Sequence, residues 1–195
     1  MLHDVRDVPK GRIMIKTLRR WLRREDGVTA VEFSLVAMPL FTIIFGIIEL
    51  SMFFASGTVL EGASAEAARR IRTGQVQQSD EPEEAFKSLL CSQSGTMLDC
   101  DKIQYEVIHV GNNTFSLADT MEPQFDEEGN LIPHPFDAGG DSDVIIVRAY
   151  YQWHFYTPFL GTMLTAGSGQ DWVAHMATVV IRTEPYCTSL NPMNC

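Results

Sequence analysis

Two carboxylates stand where acids are expensive. The run from Val28 to Phe54, VTAVEFSLVAMPLFTIIFGIIELSMFF, has no lysine or arginine but holds Glu32 and Glu49. An acid inside or beside lipid costs about 1–3 kcal/mol, so it must reach water or find a partner. Glu49, near the outer end of the run, reads as a boundary residue that snorkels to the interface. Glu32 lies in the first turns. Relief there comes from the interface and the helix N-terminal dipole, or from a partner.

A second set of reactive groups is the four cysteines, Cys91, Cys100, Cys187 and Cys195, all after the apolar run. That placement suits disulfides in an oxidising compartment. Of the three possible pairings, two local loops, Cys91–Cys100 and Cys187–Cys195, are favoured. Zinc has no support from a CxxC or a nearby histidine pair. Asp137, Asp141 and Asp143 flank Gly139-Gly140 and offer oxygen ligands of the kind Ca²⁺ takes. Their order is not that of an EF-hand, and a solvated acidic loop is the better reading. His3, His109, His134, His154 and His175 are scattered, and the chain lacks HExxH, GxSxG and a phosphate-binding glycine loop. The expectation is a protein with no catalytic site, no metal, no cofactor and no small-molecule substrate.

These groups need elements to hold them. Residues 1–26 carry eight basic and four acidic residues, whereas the rest carries seven basic and twenty-one acidic. A basic head before an apolar run is the positive-inside pattern, so the N-terminus faces the cytoplasm. The acidic remainder argues against nucleic acid as a partner. The run 28–54 spans about 40 Å as a helix, enough for a tilted membrane crossing. Pro39 removes one backbone hydrogen bond and should bend that helix. Gly46, Ser51, Ala55, Ser56 and Gly57 provide small side chains for close packing.

Val59, Leu60, Ala63, Ala67 and Ile71 keep helical spacing, and Gly74 is a suitable stop. One helix over about 28–73 is therefore expected, half in lipid and half an amphipathic spine. Residues 83–90 predict a short helix with Phe86, Leu89 and Leu90 inward. Lys102–Val110, Asp143–Tyr156 and Trp172–Thr183 alternate as strands. In the middle strand Ile145, Val147, Ala149, Tyr151, Trp153 and Phe155 share one face, with Arg148, Gln152 and His154 on the other. Residues 111–142 read as a long loop with a short strand near Thr114–Leu117. The fold class is α+β, with the long helix packed on a small antiparallel sheet.

The stretch Glu25-Asp26-Gly27-Val28-Thr29-Ala30-Val31-Glu32-Phe33 resembles the processing site of type IVb prepilins, and GVTAVEFSLVAMPL resembles the TadE-like pseudopilins of tight-adherence (Tad) pilus systems. Arg182-Thr183-Glu184-Pro185-Tyr186 is similar to how those proteins end. The resemblance implies a pilin-like plan and cleavage by a prepilin peptidase between Gly27 and Val28. It implies that Glu32 and Phe33 become the fifth and sixth mature residues. Glu32 would then pair with the free amino group of a neighbouring subunit. The chain divides into a basic leader (1–27), a transmembrane helix (28–54), its periplasmic continuation (55–74) and an extracytoplasmic α+β domain (75–195). The leader is long for a prepilin and the outer domain large for a major pilin. The expected role is therefore a minor pseudopilin in the inner membrane, its C-terminal domain periplasmic, either entering a pilus or priming it. Implied partners are membrane lipid, the prepilin peptidase, other pilins or pseudopilins and the assembly machinery. The alternatives are an uncleaved, membrane-tethered periplasmic binding or sensing module, with a pocket near 111–142, and a secretory signal cut after Ala63-Ser64-Ala65.

Overall fold

The computed structural model of the chain describes residues 27–95, 97–112, 121–157, 160–165 and 172–186. The basic head before Gly27, the strand expected near Thr114–Leu117, and Cys187 and Cys195 lie outside these residues. Two compact units divide between Phe45 and Gly46.

The first helix, α1, runs Val28–Arg72 with Pro39 inside it. In the first unit its side chains are almost all exposed, among them Phe33, Leu35, Met38 and Phe41. Water does not favour such a surface over this length, so the helix meets the length and composition required for a membrane span. Two hydroxyls of this stretch bond back to the helix. Ser34 Oγ donates to Ala30 O at 2.7 Å and Thr42 Oγ1 to Met38 O at 2.9 Å. Back-bonding of this kind keeps the hydrogens of Ser34 and Thr42 from facing lipid unpaired.

The second unit begins with Gly46–Arg72 of the same helix. Ser56, Leu60, Ala63, Ser64, Ala67, Ala68 and Ile71 are buried along one stripe. The spacing of three and four residues produces the stripe, and its small members let the helix lie close to the sheet. Each fully buried Leu or Ile contributes about 1.5–3 kcal/mol. The helix ends in a Schellman turn: Gly74, at φ +76°, donates to Ile71 O, and Gln75 donates to Arg70 O at 3.0 Å. Arg69 and Arg70 clamp Glu66 on the solvent side, with Arg69 bidentate at 2.6 and 2.7 Å.

Helix α2, Pro82–Ser94, starts with proline and two glutamates, which suit a helix N-terminus. It buries Phe86 and Leu90 in the core, with the Phe86 ring against Tyr105 and Phe136. The sheet consists of β1 (Gln104–Asn112), β4 (Asp143–His154) and β5 (Trp172–Arg182), antiparallel in the order β1-β4-β5. Ile145, Val147, Ala149, Tyr151 and Trp153 face the helix core, as the alternation predicts, alongside Ala177, Val179 and Ile181.

On the opposite face Met176 and Val180 of β5 are exposed, but Glu106, Arg148 and Tyr150 are buried under residues 121–136. They contain a small hairpin, β2 (Gln124–Phe125) and β3 (Leu131–Ile132), where the sequence reads as loop. Tyr150 Oη and Gln152 Nε2 both donate to Gly129 O, at 2.7 and 2.9 Å, and Phe125 packs on Tyr150. A short helix, α3 (Leu160–Leu164), lies in the connection from β4 to β5.

Candidate functional site

The residues singled out near the helix start are open. Gly27 precedes α1, with no atom within 4 Å of where a Cβ would stand. Val28, Glu32 and Phe33 are exposed. Glu32 makes no hydrogen bond or ion pair among the described residues, and no acid occupies the first turn itself. A lone carboxylate among exposed Val31, Phe33, Leu35 and Val36 is costly in lipid unless the interface, the helix N-terminal dipole or a partner relieves it.

Glu49 behaves differently from a snorkelling boundary residue. It is only 5% exposed, and its two carboxylate oxygens accept the backbone N–H groups of Tyr156 and Thr157. The cause is local: these N–H groups follow the end of β4 and have no strand partner, so a carboxylate satisfies them. Gly46 lies against the same connection: a Cβ there would make ordinary contact with Leu160 Cδ1 at 3.6 Å. One turn further on, Phe53 stacks on His175 of β5, with ring centroids 4.2 Å apart. Ser56 Oγ donates to Phe53 O at 2.7 Å, so it accepts from His175 Nε2–H at 3.1 Å. Burial pushes the His175 pKa down, which favours this neutral ring. A Cβ at Gly57 would stand 3.0 Å from His175 Nδ1. Gly46, Ser56 and Gly57 thus serve packing within the chain.

The sheet's outer face holds a buried Glu106–Arg148 ion pair with the half-exposed His134 at its edge. Arg148 Nη1 donates to Glu106 Oε1 at 2.6 Å, Arg148 Nη2 donates to Met121 O, and His134 Nδ1 lies 2.9 Å from Glu106 Oε2. Burial pushes the Glu106 pKa up, but the hydrogen bonds from His134 and Arg148 outweigh it and hold it below the usual carboxylate range. A cleft of about 520 Å³ runs beside β1, lined by Glu83, Tyr105, Glu106, Leu131, His134 and Phe136. Its inner polar groups are already spent on one another: Gln104, for example, is bonded to Asn130 Oδ1 and to the N–H of Leu131.

The acidic turn is likewise built for structure. Asp143 Oδ2 accepts Gly140 N–H at 2.7 Å and lies 3.2 Å from His109 Nε2, and Asp137 Oδ1 accepts Gly139 N–H at 2.9 Å. Among the described residues no three acidic, His or Cys side chains form a metal-holding group. Cys91 and Cys100 are joined as a disulfide, with Cα atoms 5.4 Å apart. Cleavage after Ala65 would remove Leu60, Ala63 and Ser64 from the core.

The segment Arg182–Tyr186, singled out by resemblance alone, clasps the helix end to the sheet. Buried Thr183 Oγ1 donates to Gly140 O at 2.6 Å and accepts the Asp143 N–H at 2.8 Å. Glu184 N–H donates to Arg72 O at 2.8 Å, and its carboxylate meets Arg72 Nη2 at 2.9 Å. The Tyr186 ring covers Gly74, where a Cβ would come within 2.5 Å of it.

Comparison with curated proteins and with solved structures gives no match for this chain. Residues 27–69 match the family model described as TadE-like protein, and it is this segment, from Gly27 through Arg69, that links the chain to a membrane and to Tad pilus-related processes.

Proposed function

We propose that this chain is a minor pseudopilin of a Tad-type pilus system, held in the inner membrane by α1 with its α+β domain in the periplasm. The observation that carries the reading is a single helix with two environments. Its first part is apolar and exposed, while its second part is buried under a sheet. A signal sequence that is discarded gains nothing from continuing into the core. A helix that must later leave lipid and pack against other pilin helices needs a rigid continuation into its folded domain.

Prepilin peptidase cuts between Gly27 and Val28 in this reading, and the new amino group of one subunit meets Glu32 of another. Opposite charges in a low-dielectric environment then offset each other's desolvation and set the register of neighbouring helices. The work is assembly, and no side chain is assigned a catalytic role. Mass spectrometry of the membrane-extracted protein tests the cleavage. A mature N-terminus at Val28 is expected, and an intact Met1 or a start after Ala65 overturns it. Glu32→Ala should leave membrane insertion unchanged and reduce co-purification of pilin subunits. Unchanged co-purification removes the proposed role of Glu32.

A further inference from the structure

We infer that residues 155–157 and 160–165 of the β4–β5 connection form a membrane-resting foot, an apolar surface seated in the outer interface of the bilayer beside Glu49 of α1. The inference rests on the membrane-anchored reading above. Its starting point is Glu49, whose carboxylate binds the N–H groups of Tyr156 and Thr157 and so fixes the connection against the helix at that level. Glu49 is the charge that interrupts the apolar run on its outer side, so in this reading the interface falls at its level, and the connection it binds stands there with it.

The composition of the connection suits lipid rather than water. Between His154 and Asp171 the chain carries no charged residue. Tyr156 is 90% exposed, Met163 76% and Leu164 47%. Tyrosine favours the headgroup level of a bilayer, with its ring in the apolar boundary and its hydroxyl in water. The surface also continues into an apolar one, because Ile47, Ile48, Met52 and Phe54 of the same helical stretch are exposed. Apolar groups contiguous with a membrane span, free of charge and pinned at the interface, make a lipid surface the occupant. The foot would fix how the periplasmic domain stands on the membrane before assembly.

The test uses the full-length protein in vesicles of phosphatidylethanolamine and phosphatidylglycerol, with photoreactive p-benzoylphenylalanine placed singly at Met163, Phe41 or Asp80. Phe41 reports the span itself, and Asp80, beyond the far end of α1, reports background. A foot buried about 5–10 Å into the headgroup boundary should give lipid adducts at Met163 about tenfold above those at Asp80. Lipid adducts at Phe41 with only background at Met163 overturn the foot and leave the anchor standing. Protein adducts at Met163 in place of lipid also overturn it, in favour of a second polypeptide. Background at all three positions overturns the anchor and the foot together.

Discussion

Arg148 Nη1 lies 2.6 Å from Glu106 Oε1, directly across the β1–β4 pair, and both side chains are closed to solvent. Neither charge can be removed alone without stranding the other. Arg148→Met should destabilise the protein by about 3–5 kcal/mol, whereas Glu106→Leu with Arg148→Met should recover much of that loss. Chemical unfolding of the detergent-solubilised protein, followed by near-ultraviolet circular dichroism, measures both. A loss under about 1 kcal/mol for the single variant would show that the pair contributes little. Because the Glu106 pKa is held below its ordinary 4.5, its contribution is complete above that pH and fades as pH falls through the folded value.

His175 titrates in a different window. Its folded pKa lies below the ordinary 6.5, so the unfolded chain binds the proton first as pH drops. Stability from the buried neutral ring is therefore complete above about pH 6.5 and declines as pH falls towards the folded pKa. The melting temperature should fall as pH drops below the ordinary 6.5, and His175→Gln should flatten that part of the profile. An unchanged slope in the variant would assign the acid sensitivity to other groups.

Much of this architecture is legible in the sequence because it is periodic. The helical spacing of Leu60, Ala63, Ala67 and Ile71 and the alternation of Ile145, Val147 and Ala149 each identify a buried face. The same alternation assigns Arg148 to the second face of β4, where the structure has it, but does not reveal that this part of the face is covered. The cover over that face comes from β2 and β3, two residues each, within a stretch rich in acids, glycine and proline. Such short strands leave no periodic trace. Glu49 illustrates a second limit: its partners are backbone N–H groups about a hundred positions away, and backbone groups have no sequence signature.

The contact between Gly74 and Tyr186 makes a sharp test of the C-terminal clasp. Gly74 adopts φ +76°, and a Cβ there would press into the Tyr186 ring. Gly74→Ala meets both penalties and should cost about 1–3 kcal/mol. Adding Tyr186→Ala relieves the clash but not the backbone strain, so the double variant should fall short of additivity. Additive losses in a denaturation cycle would mean that the ring moves aside freely.

The Cys91–Cys100 bond closes a short loop between α2 and the turn before β1. Loop closure of this size stabilises a fold by about 2–3 kcal/mol through the unfolded chain. Cys91→Ser with Cys100→Ser should lower the unfolding midpoint accordingly without altering the native near-ultraviolet spectrum. Peptide mapping without reductant should recover the two cysteines in one linked fragment, and recovery as separate thiols would refute the pairing.

Glu49 joins the helix to the β4–β5 connection through two hydrogen bonds, and its removal separates packing from charge. Glu49→Gln keeps one carbonyl acceptor and turns the other position into a donor, which confronts a backbone N–H with another N–H. An unsatisfied buried N–H costs about 1–3 kcal/mol, and here the cost is local, since neither Tyr156 nor Thr157 lies in a strand. Amide exchange at Tyr156 and Thr157 should therefore accelerate well beyond any change at Val147 or Ala149, in the middle of β4. Equal acceleration everywhere would mean that Glu49 supports the whole fold. No acceleration would mean that these amides are protected by something other than the carboxylate.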